Sequence, residues 1–280
     1  MPPRIAVAAV AFAALAAAPC AALAASAEAA LPPTPETRVR YSISLAGLPV
    51  AHADLTLGTL AGRYVTRLTW TTSGLADVVA GSHGDVAATG HFGSRRPVPA
   101  TYTLAAGEGR KAMKVMLAMA GGAVKAAEAA PPMRTAPDTV PLEPQHRVDV
   151  LDPLSATLAP AGSAGTDPDG VCRRTLPIFD GWTRYDVRLL PKTTRDAARA
   201  GIDGPTVVCA ARWVPVAGHR AQSRVTRFMA DNEDLSIAFG RLQKAGVWVP
   251  LELSIRTRIG TVVVETDRIT TPETDRPAAR

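Results

Sequence analysis

The chain has 280 residues, 47% hydrophobic, 20% charged and 5% aromatic, with 31 Lys and Arg against 25 Asp and Glu for a net charge of +6. That length can bury a real core as one large domain or two intimate ones. Acidic residues lie among the basic ones and aromatics are few, which speaks against the clustered basic and aromatic stripe of a nucleic-acid-binding surface.

Residues 1–4 supply a short positive start, and residues 5–18 form an apolar run of the length of a signal-peptide core. Ala22-Leu23-Ala24 and Ala25-Ser26-Ala27 both fit the A-x-A cleavage pattern. Residues 1–27 are therefore expected to be a signal peptide that exports the protein to the periplasm. A membrane anchor needs about 20 continuous apolar residues, and Pro19 interrupts this run, so no stable transmembrane anchor is expected. Residues 28–37 read as a flexible linker.

Cys20 leaves with the signal, so Cys172 and Cys209 remain as an even pair in an oxidising setting. A disulfide is the natural reading. It would close a loop of about 38 residues, for which the chain-entropy model gives roughly 4 kcal/mol of stabilisation. The rival reading is free or metal-bound thiols, for which neither a C-x-x-C spacing nor a nearby histidine is present.

Alternation of period two, broken by glycine turns, dominates the first half. Tyr41, Ile43 and Leu45 point one way and Ser42 and Ser44 the other; after Gly47-Leu48-Pro49, Ala53, Leu55 and Leu57 repeat the pattern. Residues 64–72, 84–92 and 99–105 continue it, and a meander of antiparallel strands fits the spacing. Residues 110–130 have helix-favouring Ala, Met and Lys, yet Gly121-Gly122 divides them into two short arms. Strand-rich surroundings favour a hairpin there. Residues 131–145 are proline-rich and read as an extended connection.

In Leu151-Asp152-Pro153-Leu154-Ser155-Ala156-Thr157-Leu158-Ala159, Asp152 can cap a helix and Pro153 suits its first position, so a short helix is expected over 152–158. Residues 161–170 form a loop, and a second helical turn is expected over 194–200, ended by Gly201. The β pattern returns over 173–190, with Phe179-Asp180-Gly181-Trp182 as a turn or bulge, and over 206–216. The cleanest hairpin flanks Ile259-Gly260, with arms at 248–258 and 261–269. Residues 271–280 are polar and read as a frayed tail. The expected fold is mainly β, a single domain over 38–270: a strongly curved antiparallel sheet, half-barrel or β-spiral, with one or two short helices.

Taken in order, Tyr41-x-Ile43-x-Leu45-x-Gly47-Leu48-Pro49-Val50, then Leu151-Asp152-Pro153-Leu154-Ser155-Ala156, Cys172, Phe179-Asp180-Gly181 with Arg184-Tyr185-Asp186, Cys209 and Val216-x-Gly218-His219 carry a resemblance. The chain resembles the bacterial family catalogued as domain of unknown function 3108, over nearly all of its length after the signal. The resemblance implies an exported, mostly β protein with no assigned chemistry. More loosely, the architecture is similar to curved-sheet periplasmic proteins such as lipoprotein carriers and the β-spiral envelope-integrity proteins, an analogy that transfers no activity.

The motif residues to place are Asp152, Ser155, Asp180, Gly181, Arg184, Tyr185 and His219. Asp152, Ser155, Asp180 and His219 include the residue types of a hydrolytic triad. Each also has a structural reading, as a cap, a first helical turn, a turn residue and a strand end, and no G-x-S-x-G elbow is present. His83, Asp85 and His91 share one strand face, but eight residues at about 3.3 Å each put the histidines roughly 26 Å apart, too far for one ion. His52 and His146 have no partner suggested by spacing, and no phosphate-binding glycine loop or nicotinamide fingerprint appears. No catalytic residue, metal or cofactor is expected.

A strongly curved sheet with a short helix on its concave face can enclose an apolar groove. The expectation is a non-enzymatic envelope protein that binds an apolar ligand, a lipid or other envelope component, or a partner protein. The alternatives are a secreted hydrolase using Asp152, Asp180 or His219, and a structural or assembly factor using exposed strand edges. A carrier requires a continuous groove lined by strand residues of one parity.

Overall fold

The computed structural model describes residues 36–73, 83–109, 112–133, 135–160, 162, 168–196, 201–242 and 245–271. The expected signal peptide, the linker up to residue 35 and the tail from residue 272 lie outside the described residues.

The first seven strands run β1 (Glu36–Leu45), β2 (Leu48–Leu60), β3 (Arg63–Thr72), β4 (His83–Phe92), β5 (Pro97–Ala106), β6 (Met113–Ala120) and β7 (Ala123–Ala130). After a long connection come β8 (Ala159–Pro160), β9 (Thr175–Phe179), β10 (Arg184–Arg195), β11 (Ile202–Ala217), the helix α1 (Arg224–Ala230), β12 (Leu235–Leu242), β13 (Val247–Thr257) and β14 (Gly260–Thr270). All belong to one 14-stranded sheet in the order β7-β6-β5-β4-β3-β2-β1-β14-β13-β12-β11-β10-β9, with β8 on β13. Chain neighbours therefore pair almost throughout. Besides β8 on β13, the long-range pairing is β1 with β14, where Ile43 lies opposite Val264 and Leu45 opposite Val262.

Alternation decides which side of each strand is buried. In β1 Val39 and Tyr41 turn inward while Arg38 and Arg40 stay exposed, and in β6 Val115, Leu117 and Met119 do the same between exposed neighbours. The Gly121-Gly122 turn joins β6 to β7 with both φ angles positive, 58° and 77°, as the tight hairpin expected for 114–128 requires. One core gathers Leu55, Tyr64, Tyr102, Val115 and Phe179 around Leu154 and Leu158, and a second gathers Leu151, Leu189, Val207, Phe239 and Trp248 around the disulfide Cys172–Cys209.

The sheet does not close; β7 and β9 are its edges. The connection between them bridges the gap instead. Val150 N donates to Gly122 O at the β6–β7 turn (2.8 Å), while Leu151 N donates to Pro177 O (2.7 Å) and Leu151 O accepts from Phe179 N (2.9 Å) on β9. The strap then crosses to the far half, where Ala159 and Pro160 pair with Trp248 and Val247 of β13.

Three expectations need correction. The helix expected over 152–158 is a single 3-10 turn, Ser155–Thr157, because the chain must straighten within a few residues to join β13. The helical turn expected over 194–200 does not begin there: Thr194 and Arg195 extend β10 opposite Val207 and Thr206, a pairing that outweighs local preference. Residues 197–200 lie outside the described residues. The expected linker loses Glu36 and Thr37 to β1, where they pair with Gly58 and Leu57. In addition, α1 was not foreseen; Ser223 caps it by accepting from Thr226 N.

Candidate functional site

The strap that bridges the two edges also divides the interior. Asp152 and Ser155 turn toward β3–β5, while Pro153, Leu154, Ala156 and Thr157 face a cavity on the other side. Asp152 is fully buried, and its Oδ1 accepts from the amides of Leu154 (3.0 Å) and Ser155 (2.8 Å), so the expected cap is present at a tighter turn. Tyr64 Oη donates to Ser155 Oγ at 2.7 Å, and Asp152 Oδ2 has no hydrogen-bond partner among the described residues.

Burial pushes the Asp152 carboxyl up to about 6, and the Ser155 hydroxyl and the two amides pull it only partly back. Burial likewise raises the phenols of Tyr64, Tyr102 and Tyr185 above the ordinary tyrosine range, and the Asp152 carboxylate adds to each shift. These phenols keep their protons at neutral pH.

Tyr64 reaches the strap because the residue opposite it, Gly90 on β4, has no side chain: a Cβ there would sit 2.5 Å from Tyr64 Oη and 2.4 Å from Val98 O. Its ring also lies against Phe92, with centroids 5.0 Å apart. The same device recurs where Trp70 lies over Gly84, a Cβ on which would fall 2.0 Å from the indole ring. Neither Tyr64 nor Tyr102 stood out in the sequence. An aromatic and a glycine on adjacent strands were the only signal, and register is needed to see that they meet.

The cavity holds about 400 Å³. Its walls come from alternate positions on strands of both halves of the sheet: Tyr41 and Ile43, Ala53 and Leu55, Leu176 and Ile178, Tyr185 and Val187, Ile237 and Phe239. Side chains two residues apart share a face, so this is a continuous groove of one parity in each of these strands. Glu252 is the one charged side chain in the wall, and Arg195 holds it at 3.0 and 3.2 Å. Exposure rises toward one rim: Tyr41 and Phe239 are buried, whereas Ile43, Leu253 and Ile237 are half-buried. At that rim the neighbouring turns of β1–β2 and β13–β14 present Leu48 (68% exposed) and Ile259 (77%).

The other motif residues build the junction around this site. Asp180 makes a turn in which Oδ1 accepts from Trp182 N (2.8 Å) and Thr183 N (2.6 Å) and Oδ2 from Thr183 Oγ1 (2.8 Å). Gly181 has φ +100°, and a Cβ there would lie 2.7 Å from Val115, so this turn at the β9 edge packs directly against β6, the strand beside the opposite edge β7. Trp182 Nε1 donates to Pro131 O just beyond β7. Arg184 pairs with Asp186 (2.6 Å), Tyr185 lines the cavity beside Trp213, and His219 follows β11, its carbonyl accepting from Val140 N. Asp152 and Ser155 thus meet, while Asp180 is engaged by its own turn. His83 and Asp85 turn to Glu108 and Arg67, and His91 stands at the other end of β4, opposite Arg63.

No helix among the described residues is long and apolar enough to cross a membrane. No curated protein matches the chain. Among solved structures it is similar to the crystal structure of a beta-barrel-like protein of domain of unknown function DUF1849 from Brucella abortus, at 11% identity and a TM-score of 0.50, over 85% of this chain and 98% of that one. At this identity the likeness is one of fold. The family model described as protein of unknown function, DUF3108, matches residues 40–267, and the chain belongs to that family.

Proposed function

We propose that this protein is a non-enzymatic, exported envelope protein that holds one apolar chain in the cavity beneath its strap. The observation that carries the reading is the cavity itself: about 400 Å³, walled almost wholly by apolar side chains and graded from buried to half-exposed toward one rim. At ~30 Å³ per methylene-sized group, taking the volume of a water molecule as the unit, that is room for roughly a dozen groups. Export is supported by the signal-like residues 1–27 and by a disulfide, which suits an oxidising compartment. The non-enzymatic reading is supported by the use already made of the polar candidates: Ser155 is buried and bonded to Tyr64, and both carboxylate oxygens of Asp180 accept within its turn.

Titration with an uncharged long-chain alcohol, followed by displacement of a fluorescent fatty acid, tests the reading. Saturable binding of one chain per protein is expected, and it should be lost in Ile237→Trp, which fills the wall from a half-buried position. Absence of saturable binding to any single-chain amphiphile would refute it.

A further inference from the structure

The apolar lining of the cavity does not end at its rim. Ile43, Val264 and Leu253 are cavity walls that lie side by side on β1, β14 and β13, with Val264 opposite each of the other two. Two residues nearer the turns, Leu45, Val262 and Ile255 repeat this arrangement, with Val262 opposite both, and side chains two apart on a strand share a face. All three are half-buried, and Leu48 lies opposite Leu45 at the head of β2. A track built from Leu, Ile and Val therefore runs from the cavity to the tips of the β1–β2 and β13–β14 hairpins.

The two tips form one projection. Ala46 N donates to Thr261 O (2.9 Å), and Gly260, at φ +134°, comes so close that a Cβ on it would lie 2.8 Å from Ala46 Cβ. The tips carry Leu48 and Ile259, the two most exposed large apolar side chains among the described residues. Single exposed apolar side chains are ordinary, but two on joined turns at the mouth of an apolar cavity mark a contact surface. Size and charge give the partner its chemistry. Two turn tips cover far less than the roughly 1,200 Å² that a stable protein interface buries, so they suit a partner that needs no matching face. A lipid bilayer is such a partner, because apolar side chains enter it from the head-group level without shape complementarity. Residues 46–50 and 257–261 hold a single charge, Arg258, which is exposed and has no acidic partner among the described residues; Arg256 before it is held by Asp234 at 2.9 Å. A free cation beside inserting apolar side chains favours anionic head groups.

We propose that the joined tips dock this protein on the surface of an anionic lipid bilayer, with Leu48 and Ile259 at the acyl boundary and Arg258 at the lipid phosphates, so that the cavity opens toward the membrane. The inference rests on the proposed apolar-chain binding and adds the source of the chain. A single-chain amphiphile leaves the bilayer tail-first along Leu45, Val262 and Ile255, and its hydrocarbon reaches the cavity without crossing water.

Co-sedimentation of the chain from Glu28 onward with phosphatidylcholine vesicles, with and without phosphatidylglycerol, tests this. That form is suitable because residues Thr34–Arg280 make a compact unit of their own. The protein should partition onto the vesicles that contain phosphatidylglycerol and more weakly onto phosphatidylcholine alone. Leu48→Ser and Ile259→Ser should each weaken partition roughly 10-fold, the scale for burying one such side chain. Arg258→Gln should lower the preference for phosphatidylglycerol by roughly 5-fold, the scale for one basic side chain at an anionic surface. All three positions are exposed, so thermal melting should not move, and dodecanol binding in solution should persist in each variant. Partition that is absent, or that is unchanged in the variant carrying both Leu48→Ser and Ile259→Ser, overturns the docking; dodecanol binding that persists then leaves the cavity reading standing. Self-association in the absence of vesicles that is lost in that same variant also overturns it, because the tips then meet a second copy. Partition with the expected losses but no dodecanol binding supports the docking and overturns the cavity reading.

Discussion

Asp152 sets a measurable pH dependence of stability. Its carboxyl is fully buried, and burial raises its pKa from 3.8 to about 6 in the folded protein. Between those values the folded state holds a proton that the unfolded chain has released, so stability falls as pH rises through the window from about 4 to 6 and levels off above it. The shift is about 2 units, and at ~1.4 kcal/mol per unit the loss is about 3 kcal/mol. Asp152→Asn keeps an acceptor for the amides of Leu154 and Ser155 and removes the titration. The difference in unfolding free energy between the two proteins, from urea denaturation at pH 3.5 and at pH 7.5, should therefore move by about 3 kcal/mol in favour of the variant at the higher pH. The comparison cancels every other titrating group. A difference that stays flat across that range would show that Asp152 does not carry a buried, destabilised carboxylate.

Other expectations follow from single contacts. Cys172→Ser with Cys209→Ser releases a loop of 37 residues' separation and should lower stability by roughly 4 kcal/mol, read by denaturation with and without reductant; reductant should leave the variant unmoved. Gly90→Ala places a methyl group against Val98 O and the Tyr64 hydroxyl and should destabilise by about 1–3 kcal/mol; Thr89→Ala on the same strand, whose hydroxyl pairs with that of Thr101 on β5, should stay within about 1 kcal/mol. Gly181→Ala meets both a positive φ and Val115, so it should loosen the turn beneath β6 and raise amide exchange at Val115 and Leu117. A variant that melts and exchanges like the unaltered protein would show that the turn does not hold the two edges together.

Much of the β architecture was legible because it is written locally. Strands such as β1 alternate in composition, whereas over 110–130 helix-favouring Ala, Met and Lys compete with the turn signal of Gly121-Gly122, and the strand-rich surroundings tip the reading to a hairpin. What joins distant parts was not legible. Nothing near Ile43 announces Val264 as its partner, and Thr194 and Arg195 read as a helical start until β11 is seen beside them. The site shows the same division. Asp152 was identified as a cap and the Cys172–Cys209 pairing was expected, both from local or compartment-level chemistry. Tyr64 is not singled out by the sequence, because its place depends on an absent side chain at Gly90.

Occupancy of the cavity by a single chain is tested most directly by native mass spectrometry of protein purified without detergent from its own cells, followed by organic extraction. A single-chain amphiphile at about one per protein is expected, absent from Ile237→Trp prepared in parallel. Protein that arrives without such a molecule, and that then fails to take up dodecanoate or dodecanol in solution, would contradict it.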